Sequence, residues 1–431
     1  MNKEKLKEKV SSKIDNDKAI KFLGSLVRLP SENGQPTLAQ ELILQKMEEL
    51  GLNIDKFSGN TAGVEDYADY CPLNEGEKVD ERAYNLVGIK SGKGQGKSLM
   101  LFAHIDTETC ESADIASVYD LKRVNNRLYG HGIADDKSGM ATIMLAVEAV
   151  LKETDLDGDL IVMSVLGKRG GSAGTLSAIA KGYKADGGIY LHPAETGHGY
   201  TEVKIYSMGT VDFSVTIKGS EGRENDELDN SEVNAIKKGS MVVEAMSDWD
   251  KARRERILFT EGTYAGTPKT KLNISTAEAG IKVGRDPMTY TIKSRLYFGE
   301  EETIYSVLEE LKDYFHKRFA GDDWLSVNPP EIEILNLRAT PAMVSKDSDI
   351  VRTIEKNISS VNGVESFIYQ YHGASDIRHP IVYGNTPTAG IGPLCGGLYG
   401  ADWTEWVDEK EFVDGIKMLA SIIIDWCLTD K

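Results

Sequence analysis

Two stretches pairing histidine with carboxylates have spacings that allow metal chemistry. In FAHIDTE (102–108), His104 and Asp106 sit two residues apart at the end of an apolar run, and side chains at i and i+2 of a strand share a face. An imidazole placed there can ligate a metal while the neighbouring carboxylate orients its ring. An H-x-D pair at a strand end is more commonly a hydrogen-bonded structural pair, so the motif alone does not decide. In GHGIADDKSGM (130–140), Asp135 and Asp136 stand directly before a strongly apolar helical run. One Asp suffices to cap a helix and complement its dipole. Two of them, followed by Lys137 and Gly139, fit a carboxylate that reaches into a site. A third stretch, LIVMSVLGKRGGSAGT (160–175), ends an apolar run in a glycine-rich turn with Lys168 and Arg169 but no carboxylate. Open α/β sheets gather ligands just beyond such strand tips.

The apolar runs that must carry these groups alternate with helical patterns. YNLVGI (84–89), SLMLFAHI (98–105), LIVMSVL (160–166) and GGIYLHP (187–193) read as buried strands, and MATIMLAVEAVLKE (140–153) and TLSAIAKGY (175–183) as helices. That alternation predicts an α/β fold with a doubly wound, mostly parallel sheet. TPTAGIG (386–392) and the amphipathic EKEFVDGIKMLASIIIDWC (409–427) repeat the theme. In the middle, VDFSVTI (211–217) alternates polar and apolar residues, as a half-exposed antiparallel strand does. A helix over 231–250, strands over 270–281 and 289–298, a helix over 302–319 and a strand over 331–336 complete the order β-α-β-β-α-β, which is ferredoxin-like. The expected domains are a first α/β part (1–208), an inserted ferredoxin-like α+β domain (209–337) and a second α/β part (338–431). Stretch 56–83, rich in Gly, Asp and Glu, reads as a surface insertion. SGKGQGKS (91–98) mimics a phosphate-binding loop, but Ser91 replaces its first glycine and the stretch precedes a strand instead of following one. It reads as a turn.

Composition narrows the partners. At 431 residues the chain exceeds one ordinary core. A formal charge of −18 argues against nucleic acid and anionic membrane, both of which would repel it. Four scattered cysteines without a CxxC pair do not make a disulfide scaffold and point to a reducing cytoplasm. The opening MNKEKLKEKVSSKIDNDKAIKF lacks the apolar segment of a secretory signal. No window approaches the roughly 20 apolar residues of a membrane helix.

With these pieces in order, the chain resembles the zinc-dependent metallopeptidase family of acetylornithine deacetylase, succinyl-diaminopimelate desuccinylase, aminoacylase and related carboxypeptidases. The matching features are AHIDT, YGHGIADDKSGM, GGSAGT, NAI (234–236) with SRLYFGEE (294–301), and GASDIR (373–378) followed by GIGP and EWV. They run in the family's order from LVRLPSENG (26–34) onward. The resemblance implies two zinc ions bridged by an Asp, a Glu base, a lid His for the developing oxyanion, and a lid domain that also dimerises.

Carried over residue by residue, the resemblance is uneven. It makes His104 the first metal ligand, Asp106 its companion and Asp135 the bridging carboxylate, after which the family has a cis peptide. The family's Glu-Glu pair falls on Gly167 and Lys168, and its acidic ligand before a Pro falls on His192. The last ligand His falls on Tyr399, Ala401 or Asp402. The lid His falls near Arg223 and the lid Asn near Gly284, while Arg295 matches a clamp for a substrate carboxylate. Asp376 and Arg378, in GASDIR, are further substrate-binding candidates. His104, Asp135 and His192 form a two-His, one-carboxylate set with an open fourth position, which suits a catalytic zinc. The second ion is expected to be missing, with the Lys168 ammonium near its place against Asp135. Glu195 and Asp106 are the named candidates for the lost base, with His198, His372 and Asp402 as further ones.

Two functional classes follow. One is a metal-dependent hydrolase of N-acyl amino acids or short peptides, using one zinc per chain or a rebuilt site. The other is a catalytically silent relative, with one ion or none, that binds a small ligand or partner in the old cleft. The expected assembly is a homodimer through the lid domain, acting on small molecules in the cytoplasm.

Overall fold

Strands Leu99–His104 and Leu160–Val165 are buried along their whole length, as strands covered on both faces must be. They lie side by side in parallel within an eight-stranded sheet. Its order is Asn53–Ser58, Tyr84–Lys90, Leu160–Val165, Leu99–His104, Gly187–Leu191, Thr388–Ile391, Glu202–Lys204 and Phe367–Tyr369. The central strands pair in parallel, and the edge pair Asn53–Ser58 with Tyr84–Lys90 is antiparallel. The computed structural model describes residues 2–32, 37–59, 63–71, 82–110, 115–167, 173–194, 196–220, 233–260, 262–280, 286–369, 372–397 and 405–429. Among the described residues, no helix is long and apolar enough to cross a membrane.

The chain forms two compact units. One comprises Met1–Ser207, Met343–Gln370 and Asp376–Lys431, and the other Met208–Ala342 with Tyr371–Ser375. The first holds the large sheet and its helices, among them the almost wholly buried Ser138–Leu151 and the amphipathic Glu409–Cys427.

In the second unit the strands run Lys271–Ala279, Thr289–Phe298, Tyr206–Lys218 and Glu331–Ala339 across an antiparallel sheet. Helices Ala235–Arg256 and Ile304–Arg318 complete the β-α-β-β-α-β order. Period two puts Val211, Phe213, Val215 and Ile217 on one face, where they meet Val242, Met246, Leu311 and Phe315 of the helices in a single apolar core. The opposite register carries Asp212 and Arg295, directly paired across neighbouring strands.

One expectation is corrected here. Within 56–83, the described segment 63–71 is not simply surface: Val64, Asp69 and Cys71 are buried. The Tyr67 ring packs edge-on against Tyr383 at 5.0 Å. Asp69 is drawn inward because Arg378 and His379, both buried, face its carboxylate at 3.5 Å.

The start of helix Ser138–Leu151 is fixed by Gly139. A Cβ on Gly139 would lie 1.9 Å from the Leu191 carbonyl oxygen, so this helix meets the tip of strand Gly187–Leu191 backbone to backbone. Gly139→Ala is expected to force the two apart and to lower stability by about 2–3 kcal/mol, read as a lowered midpoint in thermal unfolding followed by circular dichroism.

Candidate metal centre

His104 is the last residue of its strand, and its imidazole is buried at the strand tip. Nδ1 lies 3.0 Å from the main-chain carbonyl of Asp106. A carbonyl only accepts, so Nδ1 carries the proton and donates. Nε2 then points at two carboxylates, with Asp135 Oδ1 at 2.8 Å and Asp136 Oδ2 at 3.2 Å.

Those carboxylates reach the ring because the turn Ile133–Lys137 leaves the helical path. Gly132 enters it at φ +70°, and Asp135 and Asp136 have non-helical backbone angles and are joined by a cis peptide. Neither Asp caps the following helix, whose first turn has no side-chain cap. Glu405 anchors the turn from outside: its carboxylate accepts from the Ala134 amide at 3.3 Å and its carbonyl from the Gly130 amide at 3.1 Å. Lys137 is buried and donates to the Leu29 carbonyl at 2.9 Å. Burial brings its pKa down to about 7 against the pull of Glu405 and Glu32.

His192 approaches from the tip of strand Gly187–Leu191. Its Nδ1 donates to the Pro193 carbonyl at 2.9 Å. Its Nε2 lies 3.6 Å from Asp135 Oδ1 and 3.9 Å from Asp136 Oδ1. Burial, with the Lys204 ammonium next in weight, pulls the pKa of this ring down to about 3. It is therefore a neutral imidazole whose lone pair faces carboxylates. His104 behaves in the opposite way. Burial disfavours its charge, but Asp136 and Asp135 outweigh that and raise its pKa well above the ordinary value. Asp136 is likewise raised, by burial first and by Asp135, against the pull of His104. The cluster stabilises positive charge at one point, as a proton or as a metal ion.

These donors fit a divalent cation. His104, Asp135 and Asp136 offer ligand atoms within 4.8 Å of one another, all buried. Both imidazoles have their Nδ1 protons fixed on main-chain carbonyls, leaving Nε2 as the donor.

The other expected site residues are placed unevenly. The Asp106 carboxylate accepts from the Gly167 amide at 2.8 Å and stands 3.7 Å from His104 Nδ1. It is the Asp106 main chain, not its side chain, that holds the ring. Asp376 is buried and accepts from the Thr175 hydroxyl at 3.0 Å. Arg378 is fully buried against Asp69, which suits packing within its unit better than contact with a substrate. In the second unit, the Arg295 fork is closed on Asp212, with Nε–Oδ1 at 2.7 Å and Nη2–Oδ2 at 2.9 Å. A clamp for a substrate carboxylate is thus already filled by a carboxylate of the chain. His198 is exposed and stacks on Phe367 at 4.0 Å, a surface placement. Lys168, Glu195, Arg223, Gly284, Tyr399, Ala401 and Asp402 lie outside the described residues.

Sequence reasoning passed over three groups at the site. Asp136 stands beside Asp135 in its motif, where only Asp135 receives a role. The Tyr190 hydroxyl donates to Asp136 Oδ2 at 2.7 Å. Lys204, buried, donates to the His192 and Pro193 carbonyls at 3.1 and 2.7 Å. One signal for Lys204 was available: Glu202 and Lys204 stand at i and i+2 in the short apolar stretch TEVKIY.

Residues 100–425 match the family described as Peptidase family M20/M25/M40. Over 422 residues the chain is 25% identical to N-formyl-4-amino-5-aminomethyl-2-methylpyrimidine deformylase of Bacillus subtilis (strain 168), covering 91% of this chain and 90% of that protein. Over 405 residues it is 24% identical to Carboxypeptidase G2 of Pseudomonas sp. (strain RS-16), covering 90% and 89%. The solved structure of the di-peptidase Dug1p from Saccharomyces cerevisiae superposes with a TM-score of 0.72 at 12% identity, over 98% of each chain. That last likeness speaks to the fold.

Proposed function

The chain belongs to peptidase family M20/M25/M40, and on that premise we propose that it hydrolyses an amide bond of a small N-acyl or N-formyl compound or short peptide, using one zinc ion. The observation that carries this reading is the convergence of two Nε2 atoms on Asp135, at 2.8 and 3.6 Å. In the proposed site His104, Asp135 and His192 hold the ion. When bound, the ion supplies Lewis-acid polarisation of the scissile carbonyl and makes water acidic enough to attack near neutral pH.

The protein's own groups do the rest. The Asp106 and Pro193 carbonyls fix both imidazoles in the Nδ1–H form. Lys204 clamps the loop that carries His192. Proton transfer to the leaving amine contributes about 10²–10⁴-fold in such reactions. Glu195 and the Asp106 carboxylate are its proposed carriers, and Arg223 is proposed for the role that the resemblance gives to a lid His. Lys168 is proposed to stand in for a second ion. The relatives' names extend the substrate range to N-formyl amines as well as C-terminal peptide bonds. Within that range the Arg295–Asp212 pair favours the N-formyl amines, which bring no free carboxylate to clamp. We place the protein in the cytoplasm, in keeping with its four buried thiols. It is proposed to form a homodimer through the inserted unit, whose edge strand Lys271–Ala279 is largely exposed.

Metal analysis of protein purified without chelators tests the reading, alongside amine release from N-acyl amino acids, N-formyl amines and dipeptides. About one zinc per chain is expected, with hydrolysis lost on chelation. Structural zinc sites with four protein ligands bind with about 10–16 kcal/mol, so removing one of the three proposed ligands with His192→Ala is expected to weaken zinc binding on the order of 10²-fold. Protein that holds no zinc and releases no amine would sink the proposal. A silent relative is the second reading, favoured by Gly167, which offers a main-chain amide where the resemblance expects a carboxylate base. Its signature is bound zinc without turnover.

A further inference from the structure

We propose that Asp136 is itself a ligand of the ion, and that Tyr190 is the positioning residue that holds it in that role. The inference rests on reading the site as a metal centre, and it changes the ligand set from two histidines and one carboxylate to two and two.

Asp136 is fully buried. A buried carboxylate needs a stated partner for each oxygen, because leaving one bare costs free energy. Oδ2 has partners: it accepts from Tyr190 at 2.7 Å and lies 3.2 Å from His104 Nε2. Oδ1 accepts no hydrogen bond among the described residues and lies 3.9 Å from His192 Nε2. The bare oxygen therefore lies on the His192 side of the cluster, while its partner oxygen meets His104. Helix capping does not account for it, since no side chain caps helix Ser138–Leu151.

The Tyr190 ring is well fixed. It stacks on Phe102 at 5.1 Å and 16° and meets the His192 ring edge-on at 5.2 Å. Its hydroxyl can therefore aim Asp136 with little freedom, as outer partners of metal ligands do.

Charge balance points the same way. His104, Asp135 and His192 together bring one negative charge to a doubly charged ion in a buried pocket. Asp136 brings the second, and the set becomes neutral. A neutral cluster is the one that a dry interior tolerates. The nearby Lys204 ammonium, 3.4 Å from His192 Nδ1, makes an unbalanced positive site still less favourable.

Zinc titration by calorimetry, cobalt absorption spectra and thermal unfolding with and without chelator test the proposal on wild type, Asp136→Asn and Tyr190→Phe. Asp136→Asn is expected to weaken zinc binding on the order of 10²-fold and to change the cobalt spectrum. In chelator the same variant should unfold no lower than wild type, because one of two adjoining buried carboxylates has gone. With saturating zinc it should unfold lower. That reversal marks a ligand; a purely structural carboxylate would lose stability equally in both conditions. Tyr190→Phe should keep its chelated stability and weaken zinc binding about 10-fold, which also serves should Asp136→Asn fail to fold. If both variants bind zinc as wild type does, the assignment of Asp136 is wrong while the metal centre stands. If wild type binds no zinc, the metal centre itself is wrong.

Discussion

His104→Ala is expected to remove metal binding and amide hydrolysis together, the largest functional loss any single change here should cause. His104 Nε2 makes the closest contacts to both carboxylates, at 2.8 and 3.2 Å against 3.6 and 3.9 Å for His192. Alanine leaves Asp135 and Asp136 in a buried pocket with only the more distant His192 Nε2 beside them, at 3.6 and 3.9 Å. Loss of one ligand among four predicts on the order of 10²-fold weaker zinc binding. Loss of the group that spaces the two carboxylates adds to that. Zinc content after dialysis and turnover at saturating zinc are the measurements, and retained zinc with retained turnover would rule out His104 as a ligand. A pH signature accompanies the loss in chelated protein. The His104 pKa is raised in the folded state, with burial opposing and Asp136 and Asp135 prevailing. A raised pKa means that the folded state binds the proton more tightly than the unfolded chain. His104 thus stabilises the chelated protein fully below its unfolded value near 6.5, and this fades as pH rises through the higher folded value. The stability gap between chelated wild type and His104→Ala should therefore be wider at pH 6 than at strongly alkaline pH.

How far the sequence disclosed this site depends on the length scale of each interaction. Strand and helix identities follow from local period, so buried runs such as Leu160–Val165 and the alternation in 211–217 are readable by eye. The strand tip that presents His104 follows from the same pattern. Asp136 did not follow, because successive residues on a regular helix point about 100° apart. Two adjacent carboxylates would then splay, whereas the turn at 133–137 departs from helical angles and brings both to His104. The pairing of Arg295 with Asp212 did not follow either, for a different reason. Asp212 lies 83 positions away and is adjacent only through antiparallel register. Register is a property of the sheet and is invisible in either segment alone. Arg378 and Asp69 repeat the lesson, since a charged, glycine-bearing stretch looked exposed until the buried guanidinium that draws Asp69 inward was known.

Lys204→Met is expected to give the largest loss of stability, about 3–5 kcal/mol, because it breaks a buried pair by removing one partner. Lys204 and Glu202 are both buried in the short strand Glu202–Lys204, with Nζ 3.8 Å from Glu202 Oε1. The Thr196 hydroxyl satisfies the other Glu202 oxygen. Methionine matches the length and apolar stem of lysine but leaves the Glu202 charge buried without its cation. It also strips donors from the His192 and Pro193 carbonyls. The damage should therefore reach the metal centre, because those carbonyls belong to the loop that aims His192 at Asp135. Denaturant unfolding in chelator isolates the stability term, and zinc titration of the folded fraction isolates the aim of His192. Adding Glu202→Gln to Lys204→Met separates the two effects. Removing both charges costs less than stranding one, so the double variant should recover much of the stability. The carbonyls at 192 and 193 would still lack the Lys204 donor, so zinc affinity should stay low. Recovery of both would mean that Lys204 serves only to neutralise Glu202, and recovery of neither would mean that the two residues do not act as a pair.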